Sequence, residues 1–184
     1  MKAYIGDWHE RWMTLAFLAS RNSKDPSTKL GVVLVTPAND LITTGWNGFP
    51  RGVREQLLVS AGLGTNGAAY LGPELDPERW EKRPEKYRWV EHAERNAVYN
   101  AARLGRPTLG AIAYINADPT PCSDCTRAFI QAGVTRIIGI DKPFTGRGTN
   151  VHYHCGDIEN TMLDEAGIER VRLPLEPFRE LLGG

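Results

Sequence analysis

Two short stretches carry residue types that could do chemistry together: Glu91-His92-Ala93-Glu94 and Pro121-Cys122-Ser123-Asp124-Cys125. One imidazole and two thiolates can hold a zinc ion by three protein ligands. Three ligands leave a fourth position for water, which is the catalytic arrangement rather than the closed structural one. His92, Cys122 and Cys125 are therefore the expected ligands and Zn2+ the expected ion. Glu94, two residues past the histidine, is the expected catalytic proton carrier for that water. A purely structural zinc knot would want a fourth protein ligand, and Cys155 is the one cysteine left over.

The spacings constrain the elements beneath these residues. Cys122 and Cys125 stand at i and i+3, so at the start of a helix they share a face. Pro121 suits that first turn, where its missing N–H is no loss. The positive end of the helix dipole favours the thiolates that zinc requires. His92 and Glu94 fall about 200° apart on an ideal helix and do not share a face. Both can serve one metal only if it sits at the helix end, near the axis. The spacing thus predicts His92 in the first turn and two helix N-termini converging on the metal.

Helices are expected over 7–21 (Asp7 as N-cap), 90–104, 123–132 and 157–166, the last three stopped by Gly105, Gly133 and Gly167. Strands are expected over 30–36 and 41–46, forming a hairpin across the four-residue loop 37–40, and again over 111–116, 135–140 and 168–173. Alternating strands and helices after residue 90 predict parallel strands, and the opening hairpin makes the sheet mixed. The expected fold is α/β, a three-layer α/β/α sandwich with a mixed central sheet of about five strands. Residues 1–184 are read as a single domain with an insertion at about 53–88, holding one short helix and no Cys or His.

Bulk composition narrows the partners. Lys+Arg 22 against Asp+Glu 22 gives zero net charge, which speaks against a long nucleic acid as substrate and leaves room for one small phosphate. Three cysteines, two of them in C-x-x-C, suit a reducing compartment and a metal. The opening MKAYIGDWHERW has no apolar signal core, and no run approaches the length that spans a bilayer. A soluble, cytoplasmic protein with no membrane partner is expected.

H-x-E…P-C-x-x-C is the signature of zinc deaminases acting on cytosine or adenine. Around it, over residues 11–172, the chain resembles the deoxycytidylate (dCMP) deaminases, which have the cytidine-deaminase-like fold. The likeness is carried by Ser23-Lys24-Asp25-Pro26 with Leu30-Gly31-Val32, by Gly45-Trp46-Asn47-Gly48-Phe49-Pro50, and by Lys86-Tyr87 ahead of His92. Ile130-Gln131-Ala132-Gly133-Val134 and Tyr153-His154 with Asp157 extend it. The resemblance implies hydrolysis of dCMP to dUMP and ammonia, feeding thymidylate synthesis. It also implies that Asn47 bonds the sugar or base, that the Ala93 N–H meets the pyrimidine, that Ser23 and Lys24 lie near the 5′-phosphate, and that Tyr153 lines the pocket. A homo-oligomer, commonly a hexamer, activated by dCTP and inhibited by dTTP with Mg2+, is implied in the same way.

Three departures from that family stand out. Asn22 occupies the usual arginine position, with Arg21 one step earlier; the 116–120 linker into the cysteines is about two residues longer; and the insertion lacks the Cys and His of a second zinc site. The longer linker keeps other cytosine derivatives open as substrates: 5-methyl-dCMP, cytidine or deoxycytidine. A tRNA adenosine deaminase should carry a basic surface, which zero net charge does not supply. A zinc-binding module without activity would be free to lose Glu94, which is present. His152, His154 and Cys155 form a compact second group of potential ligands, read here as loop residues beside the pocket or at a subunit contact.

Overall fold

Gly31–Val35 reads Gly-Val-Val-Leu-Val with all five residues buried, the mark of a central strand covered on both faces. The computed structural model describes residues 8–60, 69–141 and 156–182. Within them that strand, β1, lies inside a five-stranded sheet with β2 (Leu41–Trp46), β5 (Ile112–Ile115), β6 (Arg136–Ile140) and β7 (Glu169–Leu173). The sheet order is β2-β1-β5-β6-β7. β1 pairs antiparallel with both β2 and β5, while β5-β6 and β6-β7 are parallel. The sheet is mixed as the alternation of elements predicts, and its five strands agree with the expected three-layer sandwich.

Period-2 alternation splits the strand side chains between two cores. Val32, Leu34, Ala113, Ile115 and Ile137 face α4 (Ala93–Arg103), α5 (Ser123–Gln131) and α6 (Asp157–Glu165), meeting Ala97, Phe129 and Leu163. Val33, Val35, Tyr114, Ile138 and Ile140 face α1 (Trp8–Ser20), meeting Met13, Ala16 and Phe17. A C-terminal 3₁₀ helix, Glu176–Leu182, completes this second layer by stacking Phe178 on Phe17. At seven residues it is too short to show a period from which to predict it.

Two glycines set how closely other segments approach the sheet. A Cβ at Gly45 of β2 would collide with the Ala93 carbonyl and the Ala97 N–H, so glycine lets the first turn of α4 rest on the strand backbone. A Cβ at Gly139 of β6 would meet Pro119 N at 2.6 Å, so glycine there lets the linker into the cysteines cross β6.

The insertion departs from the single short helix expected of it. β3 (Gln56–Ser60) and β4 (Ala69–Leu75) form an antiparallel pair, followed by two one-turn helices, α2 (Pro77–Trp80) and α3 (Lys86–Trp89). A small core of Phe49, Trp80 and Val90 holds this part, with Phe49 and Trp80 stacked at 4.4 Å. The contacts are remote in sequence, which is why local composition missed them. Among the described residues no helix is long and apolar enough to cross a membrane. Asp7, His152, Tyr153, His154 and Cys155 lie outside the described residues.

Candidate active site

Each of the two helices bearing the chemical residues begins on a ligand. His92 is the N-cap of α4 and Cys122 the N-cap of α5, both with extended backbone, and neither side chain caps its helix. The common cappers are Ser, Thr, Asp and Asn; here both cap positions present metal-binding atoms instead. Cys125 sits one turn into α5, fully buried. The local fold is held by Thr126, whose N–H donates to the Cys122 carbonyl at 2.8 Å and whose hydroxyl donates to the Pro121 carbonyl at 3.1 Å.

His92, Cys122 and Cys125 offer ligand atoms that all lie within 4.8 Å of one another. His92 Nδ1 stands 3.3 Å from Cys122 Sγ and 3.4 Å from Cys125 Sγ. Two such atoms on one tetrahedral zinc would be about 3.5 Å apart, given ordinary Zn–S and Zn–N lengths. The donor set and its spacing fit zinc. Glu94, at the second helical position of α4, is 5% exposed, and its Oε2 is buried with no hydrogen-bond partner. A buried, unsatisfied carboxylate oxygen is costly in a folded chain and marks a functional position.

The electrostatics of the cluster are dominated by burial and by the thiols. Burial pulls the His92 imidazole down, but the hydrogen bond with Cys122 and the charges of Glu94 and Cys122 leave it above its usual value. Burial pushes the Glu94 carboxyl up, only partly opposed by His92. As free thiols the two cysteines split: the hydrogen bond from Cys125 pulls Cys122 down, and donating it pushes Cys125 up. The pair therefore holds one thiolate readily, and a cation is needed to draw out the second proton.

Three supports around the cluster were not singled out by sequence spacing. Arg95 binds Glu91 through Nε, and its Nη1 reaches Asp124 Oδ2 at 3.0 Å, bridging the first turns of α4 and α5. Its signal was the i, i+4 pairing with Glu91. Glu159 of α6 accepts from the Gly156 N–H at 2.9 Å and from the hydroxyl of Ser123, the residue between Cys122 and Asp124. An acid three residues past the N-cap hints at half of this. Gly48 forms an isolated bridge with Glu91, which ties the exit of β2 to the residue before His92.

The other expected contacts lie on the loop after α1 and at the end of β2. Asn47 is buried; its Nδ2 donates to Asp25 Oδ2 and to the Thr28 carbonyl, and its Oδ1 accepts from the Leu30 N–H at 2.8 Å. Ser23 is buried and its hydroxyl accepts from the Asp25 N–H. Lys24 is exposed and paired with Glu55. Ala93 opens α4, so its N–H is one of the first-turn donors with no intrahelical partner. A cavity of about 460 Å³ lies on this side, with Asn22, Lys24, Trp46, Asn47, Arg51 and Asn96 in its wall.

The chain is similar to known proteins. The cytidine and deoxycytidylate deaminase zinc-binding region matches residues 6–140. The deoxycytidylate deaminase of Mus musculus is 33% identical over 132 residues, covering 72% of this chain, and the chain spans 64% of that relative's own length. The apo crystal structure of dCMP deaminase from the cyanophage S-TIM5 superposes with a TM-score of 0.60 at 22% identity, covering 94% of this chain and 100% of the other. The structure of the same phage protein with dCMP and dUMP gives 0.58 at 24% identity, covering 94% and 99%. At those identities the phage structures establish the fold.

Proposed function

The chain belongs to the cytidine and deoxycytidylate deaminase zinc-binding family, and on that premise we propose that it hydrolyses dCMP to dUMP and ammonia. The observation that carries the reading is Glu94: a buried carboxylate with an unpartnered oxygen, set beside a His92, Cys122, Cys125 cluster that fits zinc. The substrate is supported by the mouse deoxycytidylate deaminase, one third identical across most of this chain.

Zinc, when bound by His92, Cys122 and Cys125, supplies the Lewis acidity that makes water a nucleophile near neutral pH. Glu94 takes one proton from the attacking water and passes it to pyrimidine N3 as the hydroxyl adds at C4; it then moves that hydroxyl's proton to the amine, which leaves as ammonia as the C4–N bond breaks and the C4 carbonyl forms. Burial raises the Glu94 pKa, so the carboxyl holds a proton in mid-reaction more readily than an exposed glutamate would. The Ala93 N–H, at the positive end of α4, meets the pyrimidine carbonyl. Asn47, whose Oδ1 accepts one N–H and keeps a second lone pair, contacts the sugar or base. Ser23 and Lys24 flank the 5′-phosphate and Tyr153 lines the pocket in this reading, on the family likeness. The same likeness supports a homohexamer activated by dCTP and inhibited by dTTP with Mg2+, and the C-x-x-C cysteines suit a reducing, cytoplasmic setting.

Ammonia release by zinc-loaded protein from dCMP, CMP, deoxycytidine and 5-methyl-dCMP tests the proposal. Turnover of dCMP well above deoxycytidine is the expected result. Zinc-loaded protein that turns over none of the four overturns it, and a preference for 5-methyl-dCMP moves the substrate while keeping the chemistry.

A further inference from the structure

Away from the metal cluster the described residues contain one ion pair with both partners almost wholly buried. Lys86 Nζ lies 2.7 Å from Asp25 Oδ1, with side chains 5% and 3% exposed. The same ammonium donates to the Ser27 hydroxyl at 2.6 Å. Asp25 Oδ1 also accepts from the Ser27 N–H at 2.8 Å, the Ser27 hydroxyl at 2.9 Å and the Thr28 N–H at 3.2 Å, while Oδ2 accepts from Asn47. One carboxylate thus organises the whole turn after α1 and joins it to the end of β2.

Burying such a pair brings little net stability, because desolvating the two charges offsets most of their attraction. What the pair does supply is connection. Lys86 belongs to α3 of the insertion, 61 residues from Asp25 and six before His92. The turn it grips carries Asn22 and Lys24, which with Asn47 form part of the cavity wall. His92 and Cys122 cap α4 and α5, and Cys125 lies in the first turn of α5, so no ligand belongs to the turn that Lys86 grips. We infer that the Lys86–Asp25 pair is a positioning device by which the insertion fixes the nucleotide-side wall of the site, setting substrate affinity without acting on the metal. The inference rests on the reading of the chain as a dCMP deaminase.

The test compares wild type, Lys86→Met, Lys86→Arg and the charge-free double variant Asp25→Asn/Lys86→Met. KM and kcat are measured for dCMP, with bound zinc counted by atomic absorption. Lys86→Met should raise KM for dCMP about tenfold or more, the scale of one charge-assisted contact. It should leave kcat within a few-fold and bound zinc at the wild-type level, and Lys86→Arg should recover part of the loss. The double variant leaves no unpaired buried charge, so it should fold even where Lys86→Met does not, and it should show the same raised KM. An unchanged KM in the double variant, a fall in kcat in place of a rise in KM, or loss of zinc overturns the inference. Absence of turnover in wild type would instead strike the proposed reaction.

Discussion

The two sides of the site are built by different means. The metal side stands on regular elements: α4 rests on β2 where Gly45 admits it, and α5 packs Phe129 into the main core. Its ligands are placed by helix starts, so their positions follow from apolar packing. The other side, the one proposed to meet the nucleotide, is irregular. A turn of polar residues is organised on one buried carboxylate, and the ammonium that neutralises it arrives from the insertion. Packing defines the first side and charge defines the second. The metal side should therefore be rigid and costly to disturb, whereas the nucleotide side can be retuned by single polar substitutions.

This contrast can be broken most severely at Gly45. Gly45→Val drives a side chain into the Ala93 and Ala97 backbone and displaces the start of α4. We expect a loss of about 3 kcal/mol or more in unfolding free energy, with zinc binding lost alongside. Chemical denaturation and zinc content check it. Near-native stability with zinc bound would show that α4 is not seated by that contact.

Acid should act on the metal side through its ligands. Zinc requires neutral His92 and two thiolates, and His92 is raised while Cys125 is pushed up by its bond to Cys122 and by burial. At His92 and Cys125, though not at Cys122, protons therefore compete from a higher pH than for unperturbed ligands. Apparent zinc affinity should fall with decreasing pH by about tenfold per unit for each proton displaced. A chelator competition series across pH reads the slope, and a pH-independent affinity would contradict the ligand set.

Arg95→Met gives the smallest of these effects. It removes the bridge from α4 to Asp124 of α5 but keeps the aliphatic stem. A destabilisation of about 1 kcal/mol is expected, with zinc retained but more easily chelated. Equal chelation rates in variant and wild type would show that the two helix starts do not need the bridge.

The sequence made the metal side legible and left much of the nucleotide side hidden. His92-x-Glu94 and Cys122-x-x-Cys125 lie within one helical turn each, so their spacing alone implies convergence at helix ends. The strands around them declare themselves by β-branched runs such as 32–35. Asp25 and Lys86, by contrast, are 61 residues apart and each looks like a surface charge. Leu75 of β4 packs against Phe49, Trp80 and Val90, contacts that no local period announces. Family likeness puts Lys24 near the phosphate, and here it pairs with Glu55, a residue of the insertion. Local rules reach the elements that fold locally, and the rest of the site is assembled by contacts across the chain.

The most direct test of the account is ammonia release from dCMP by wild type and Glu94→Gln, both zinc-loaded and with bound metal counted. Gln preserves the shape of the side chain and removes its ability to carry a proton. The account predicts equal zinc, similar dCMP binding and turnover reduced by about 10² or more. Turnover close to wild type with zinc in place would contradict it.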